Sequence, residues 1–155
     1  IMDGEVLALM KKHGTYYIPT ISAGMFVAEK AKQKGYYPQI IVPKALEIGP
    51  RLLNTFTTAY KFGIKIAFGT DSGVSYHGDN AKEFFYMVRG GMTEMEAIRS
   101  ATGIASEMLG INDKLGSIES GKLADIIAVK GNPIKDITLL QEVMFVMKEG
   151  KVYKN

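Results

Sequence analysis

Residues 64–73 read Ile-Lys-Ile-Ala-Phe-Gly-Thr-Asp-Ser-Gly, an apolar strand pattern that delivers one acidic side chain, Asp71, into a Ser72-Gly73 turn. A carboxylate at the C-terminal end of a buried strand can bind a divalent cation and pass a proton to a leaving group. The strand end is rigid there, and the loops beyond it can carry metal or substrate. The structural alternative is a cap, because aspartate accepts backbone hydrogen bonds in turns and at helix starts. His77 follows in Tyr76-His77-Gly78-Asp79-Asn80, a loop position from which a histidine can bind substrate or metal, or simply face water. His13, beside Lys12 at the end of a helical pattern, suits the helix dipole instead. Ser72 and Gly73 can offer backbone donors to an anion, although one such turn is a weak signal. Gly69-Thr-Asp71-Ser-Gly73 also fits a nucleophile elbow with aspartate in place of serine. That mechanism needs a histidine well downstream, and none follows His77. A metal site takes about four ligands. Two histidines, one of them badly placed, cannot supply a His-rich set, so either Asp71 is structural or most of the site lies outside these residues.

The elements that must position Asp71 follow an α/β order. Asp3 can cap a helix with Val6, Leu7, Leu9 and Met10 on one face and Gly14 as its stop. Residues 15–20 then read as a strand with Pro19 near its end. Helical patterns cover 22–34 and 40–62, with Pro43 and Pro50 expected to limit or kink the second. The strand 64–69 comes next. Beyond the Asp71 turn, Gly78 or Asp79 opens a helix with Phe84, Met87 and Val88 on one face. Thr93 and Glu96 have capping-box spacing and open a helix over 94–101, and a shorter one covers 104–109. Past Asn112 the pattern turns to β-structure over 116–131 and a hairpin, 143–148 with 151–153, on Glu149-Gly150.

Composition narrows the function classes. The 155 residues are 46% hydrophobic and 23% charged, enough for a real core. They are too few for a complete (β/α)8 barrel of about 250 residues. The net charge of +3 is spread along the chain, without the basic stripe of a nucleic-acid surface. There is no cysteine, which excludes disulfides and Cys-type zinc sites. No apolar run reaches the 18 or more residues of a membrane span, and no signal peptide opens the chain. A cytoplasmic location is the weak expectation. The abrupt start, Ile1-Met2-Asp3-Gly4, is that of a piece of a longer chain.

Ile66-Ala-Phe-Gly-Thr-Asp71-Ser-Gly-Val74, then His77-Gly-Asp-Asn80 and Glu83, resembles the last barrel strand and loop of metal-dependent amidohydrolases. The likeness is greatest to the imidazolonepropionase-like branch, with Xaa-Pro dipeptidase and related carboxypeptidase-like enzymes. Residues 91–103 and 115–129 look like that family's next helix and its return into a small β-sandwich. The resemblance implies a C-terminal fragment of a (β/α)8 TIM-like barrel over 1–111, with 15–20 as strand seven and 64–69 as strand eight. Residues 112–155 would then be strands of a composite sandwich.

It further implies metal-assisted hydrolysis of an amide C–N bond in a dipeptide, an N-acyl amino acid or a cyclic amide. Asp71 would be catalytic, as metal ligand and proton shuttle, and His77 would face the substrate. The cofactor implied is a divalent metal, zinc in the first instance, bound in the complete enzyme. The family's other ligands have no counterpart here, so the fragment alone should be inactive. Open edges should make it pair with the missing N-terminal part of the barrel or with a copy of itself. The competing class is a non-catalytic α/β scaffold or interaction module that keeps the turn.

Overall fold

A computed structural model describes residues 2–155. Asp3 accepts from the Val6 N–H at 2.9 Å and opens α1 (Gly4–His13). One short connection leads to β1 (Tyr16–Tyr17), then α2 (Ile21–Lys30), α3 (Val42–Phe62) and β2 (Lys65–Ile66). Three helices follow, α4 (Lys82–Arg89), α5 (Glu94–Ala101) and α6 (Gly103–Leu109). A meander of β3 (Ile126–Val129), β4 (Val143–Lys148) and β5 (Lys151–Lys154) ends the chain, with a 3-10 turn at Ile137–Gln141.

β1 and β2 run parallel, with Tyr16 opposite Lys65 and Tyr17 opposite Ile66. The Ala67 N–H extends the pairing to the Tyr17 carbonyl at 3.1 Å. Both strands are much shorter than the expected 15–20 and 64–69, because each pairs with one neighbour and the Phe68 N–H bonds the Ser100 carbonyl instead. Their core is helical: Leu7, Ile21, Phe56, Ala59, Ile64, Ile66, Met87, Met92 and Ala97 form one buried cluster.

The expected apolar face of α1 is only partly used. Leu7 is buried, while Val6 and Leu9 are 42% and 49% exposed on flanks that no described element covers. The helix expected over 22–34 ends at Lys30, where backbone bonds from Lys32 to Glu29 and Gln33 to Lys30 tighten the chain into turns. Pro43 sits in the first turn of α3, where no amide partner is lost, and Pro50 is accommodated inside it. The expected β-structure over 116–131 shrinks to β3, and the helix after the Asp71 turn begins at Lys82 rather than at 78 or 79. The Thr93–Glu96 capping box and the hairpin on Glu149-Gly150 form as expected. No described helix is long and apolar enough to cross a membrane.

Two contacts fix how these elements sit. α2 and α3 cross where Gly24 meets Gly49; a Cβ at Gly49 would stand 2.9 Å from the Gly24 carbonyl oxygen and 3.0 Å from Met25 Cα. The second contact is electrostatic. α2 starts after Thr20, which offers no side-chain cap. The Ile21 and Ser22 N–H groups instead donate to Glu83 Oε1 at 2.9 Å and Oε2 at 2.7 Å. Glu83, on α4, is wholly buried. Its carboxylate satisfies two of the free amides at a helix start and meets the positive end of the dipole. Burial pushes the Glu83 carboxyl above its ordinary 4.5, against the opposing pull of the two amides.

Alanine normally gains about 1 kcal/mol over glycine inside a helix. Gly49→Ala should instead destabilise by about 1–3 kcal/mol, because the neighbour that must give way is backbone. Denaturant melts will read the sign. Glu83→Ala should cost about 1–3 kcal/mol for each amide left without an acceptor. The pH dependence has a definite sign. The folded chain holds the Glu83 proton to higher pH than the unfolded chain, so this group's contribution is full below 4.5 and is lost as pH rises through its raised value. Urea melts at a series of pH values should show that slope in the parent and lose it in Glu83→Gln.

Candidate functional site

Because β1 and β2 are parallel, their C-terminal ends open on one side of the molecule, a common position for α/β chemistry. Thr20 and Asp71 stand just beyond those ends, with left-handed φ values of 46° and 51°. Such values are uncommon for residues with a Cβ, and the surrounding structure must hold them. At Asp71 the restraint is visible. Its carbonyl accepts from the Val74 N–H at 3.2 Å, and Thr70 Oγ1 lies 3.0 Å from Ser72 Oγ. Asn80 Nδ2 donates to Thr70 Oγ1 at 3.2 Å while its Oδ1 accepts from the Gly78 N–H. The loop is thus stapled back onto the strand end that carries Asp71.

The Asp71 side chain itself is exposed, and no described group hydrogen-bonds to it. It therefore caps neither the turn nor α4, which removes the structural alternative read from the sequence. The Gly73 N–H is already bonded to the Ser75 carbonyl, so it is not free for an anion. The nucleophile-elbow reading also fails. An elbow passes directly from strand to helix, and here α4 begins only at Lys82.

His77 is exposed on the same loop. Its neighbour Tyr76 packs edge-on against Phe26 at 5.3 Å. The Lys30 ammonium lies 5.3–5.6 Å from the rings of Phe26, Tyr36 and Tyr76. That knot lays the His77 segment along α2. His13 precedes β1 and therefore lies at the opposite, entry end of the strands, away from Asp71.

Among the described residues no group of three or more His, Cys, Asp or Glu side chains could hold a metal ion. Asp71 fits a divalent cation as one oxygen donor, and the chain does not provide the rest of a coordination shell. Sequence reading missed the roles of Glu83, Asn80 and Lys30, all of which act on partners outside their own elements. The visible hints were an acid on an otherwise core-facing helix and an aromatic in a polar loop.

Comparison with known proteins gives one family. The amidohydrolase family model matches residues 1–154. Ochratoxinase of Aspergillus niger is 37% identical over 158 residues, which cover 98% of this chain and 32% of that protein. The chain thus spans about a third of the curated relatives it matches. A crystal structure of an Xaa-Pro dipeptidase with bound methionine in its active site superposes with a TM-score of 0.95 at 58% identity, covering 99% of this chain and 38% of that one. A prolidase complexed with N-methylphosphonate-L-proline superposes with a TM-score of 0.86 at 27% identity, covering 100% and 38%. The matched range includes the Asp71 turn and the helices that hold it, and the chain belongs to the amidohydrolase family.

Proposed function

We propose that this chain is the closing part of a metal-dependent amidohydrolase that cleaves an amide C–N bond, with Asp71 as metal ligand and proton shuttle. The observation that carries this reading is the unbonded Asp71 carboxylate, held in a left-handed turn at the open end of a parallel strand pair in a chain of this family. A divalent metal, zinc in the first instance, supplies activation of the attacking water when bound. Asp71 contributes one ligand, takes the proton of that water and returns it to the departing amine nitrogen. The Asn80–Thr70–Ser72 staple keeps the carboxylate aimed without occupying it, and His77 faces the substrate. Likeness to an Xaa-Pro dipeptidase and a prolidase favours a dipeptide over an N-acyl amino acid or a cyclic amide. The remaining ligands belong to strands outside this chain.

The absence of a ligand cluster among the described residues favours a second reading, a non-catalytic scaffold that retains the turn. Asp71→Asn in the complete protein separates the two. Asparagine tolerates the left-handed backbone and no hydrogen bond is lost, so the melting temperature should hold. Hydrolysis should fall by about 10²–10⁴-fold, the usual worth of a proton shuttle, with a loss of bound metal. Unchanged turnover and metal content would leave the scaffold reading in the lead.

The open surfaces point to a partner for the isolated chain. β1 and β2 each keep an unpaired edge, and the terminal sheet exposes Ile127, Met144, Val152 and Tyr153. A largely apolar cavity of about 570 Å³ separates that sheet from α5 and α6. The 155 residues expressed alone should be inactive and should self-associate in sedimentation experiments. A monodisperse, cooperatively melting monomer would refute that expectation.

A further inference from the structure

The loop between Asp71 and α4 is held at its ends and at its tip by different means. Asn80 Nδ2 joins the ends by donating to Thr70 Oγ1, and the Gly78 N–H donates to Asn80 Oδ1 at 3.2 Å. Ser75 is buried, but the chain then turns outward and Tyr76 is 61% exposed. Burial therefore does not hold the Tyr76 ring. That ring touches Phe26 of α2, edge-on at 5.3 Å, and the Lys30 ammonium, 5.5 Å from its centre. The same ammonium lies 5.3 Å from the Phe26 ring and 5.6 Å from the Tyr36 ring. Tyr37 backs Tyr36 edge-on at 4.9 Å. One cation thus joins α2, the turns that follow it and the Asp71 loop. A basic residue in the last turn of α2 also suits the helix dipole, but that role needs neither Tyr36 nor Tyr76. Among the described residues no carboxylate pairs with Lys30, which leaves its charge to the ring faces.

We infer that Lys30 is a positioning residue: its charge draws the Tyr76 ring onto α2 and so fixes where the adjacent His77 stands for substrate. The inference rests on the reading of His77 as substrate-facing given above. Asp71 has its own restraint in the bonds among Thr70, Ser72 and Asn80, so Lys30 does not set the carboxylate. When the clamp lets go, only a fraction of the molecules has His77 in place, and the apparent affinity falls by that fraction. Substrate that does bind meets the same Asp71. The loss therefore falls on KM and spares kcat.

The test uses the complete protein, methionylproline as an Xaa-Pro substrate, and amide hydrogen exchange over residues 73–79. Lys30→Met keeps the apolar stem and removes the charge. It should raise KM by about threefold to tenfold, the factor that one or two exposed cation–π contacts are worth, and speed exchange of the loop by a similar factor. The kcat, bound metal and melting temperature should stay at their parent values. Lys30→Arg supplies a cation that also stacks on aromatic faces and should restore both readouts. In a Tyr76→Leu background Lys30→Met should add nothing further, because the two side chains act as one unit. Parent-like exchange and KM in Lys30→Met, or an Arg variant as impaired as the Met variant, would overturn the positioning role. So would exchange that rises equally throughout the chain. A parent-like KM in His77→Ala would instead overturn the substrate role of His77, and the inference built on it. A parent protein that leaves methionylproline intact would overturn the dipeptide reading. Exchange alone then decides the clamp, and parent-like loop rates in Lys30→Met would end it.

Discussion

Glu83 removes a charge-bearing group from water so that two amides at the start of α2 are not left without acceptors. Desolvation makes that arrangement costly, as the raised Glu83 carboxyl records, and only a well-formed pair of bonds offsets it. The consequence is geometric. α4 follows the Asp71 loop and α2 follows β1, so one carboxylate locks the second strand–helix unit to the first. The parallel ladder between them is two residues long. A ladder that short needs such a tie, because it contributes few hydrogen bonds of its own.

The contrast between Asp71 and the other acids at element ends is instructive. Asp3 caps α1, Glu96 closes the α5 capping box, and Asp136 caps the 3-10 turn. Each has one carboxylate oxygen committed to nearby donors. Asp71 stands in an equally exposed turn, yet the bonds that would have come to its carboxylate are made by Thr70, Ser72 and Asn80 among themselves. The turn is rigid while its acid stays free, the combination a ligand and proton carrier requires.

Family membership and the open surfaces fit together. A chain that matches an Xaa-Pro dipeptidase with a TM-score of 0.95 while covering 38% of it keeps the local geometry of the larger fold. The helices α2–α5 retain a common core with Phe56 and Met87 fully buried, so the packing behind the strands is made within this chain. Ile18, just beyond β1, is exposed by contrast. That division separates what stabilises this unit from what the unit presents.

The elements legible in the sequence are those whose signals lie within about one turn of the residues they govern. Asp3 with Val6, Thr93 with Glu96 and the Glu149-Gly150 hairpin each bring partners a few positions apart, so residue type and spacing determine them. The strand-end placement of Asp71 was legible for the same reason. Strand length was not, because a ladder extends only as far as a neighbour runs alongside it. The Glu83 bonds to α2, 61 and 62 residues away, and the Lys30–Tyr76 contact carry no local pattern. By itself the sequence determined the caps, the turns and the acid at the end of β2. Which side chain holds α2, whether Asp71 stays unbonded, and what holds its loop were decided only when distant segments met, since burial and hydrogen-bond partners exist only in the packed chain.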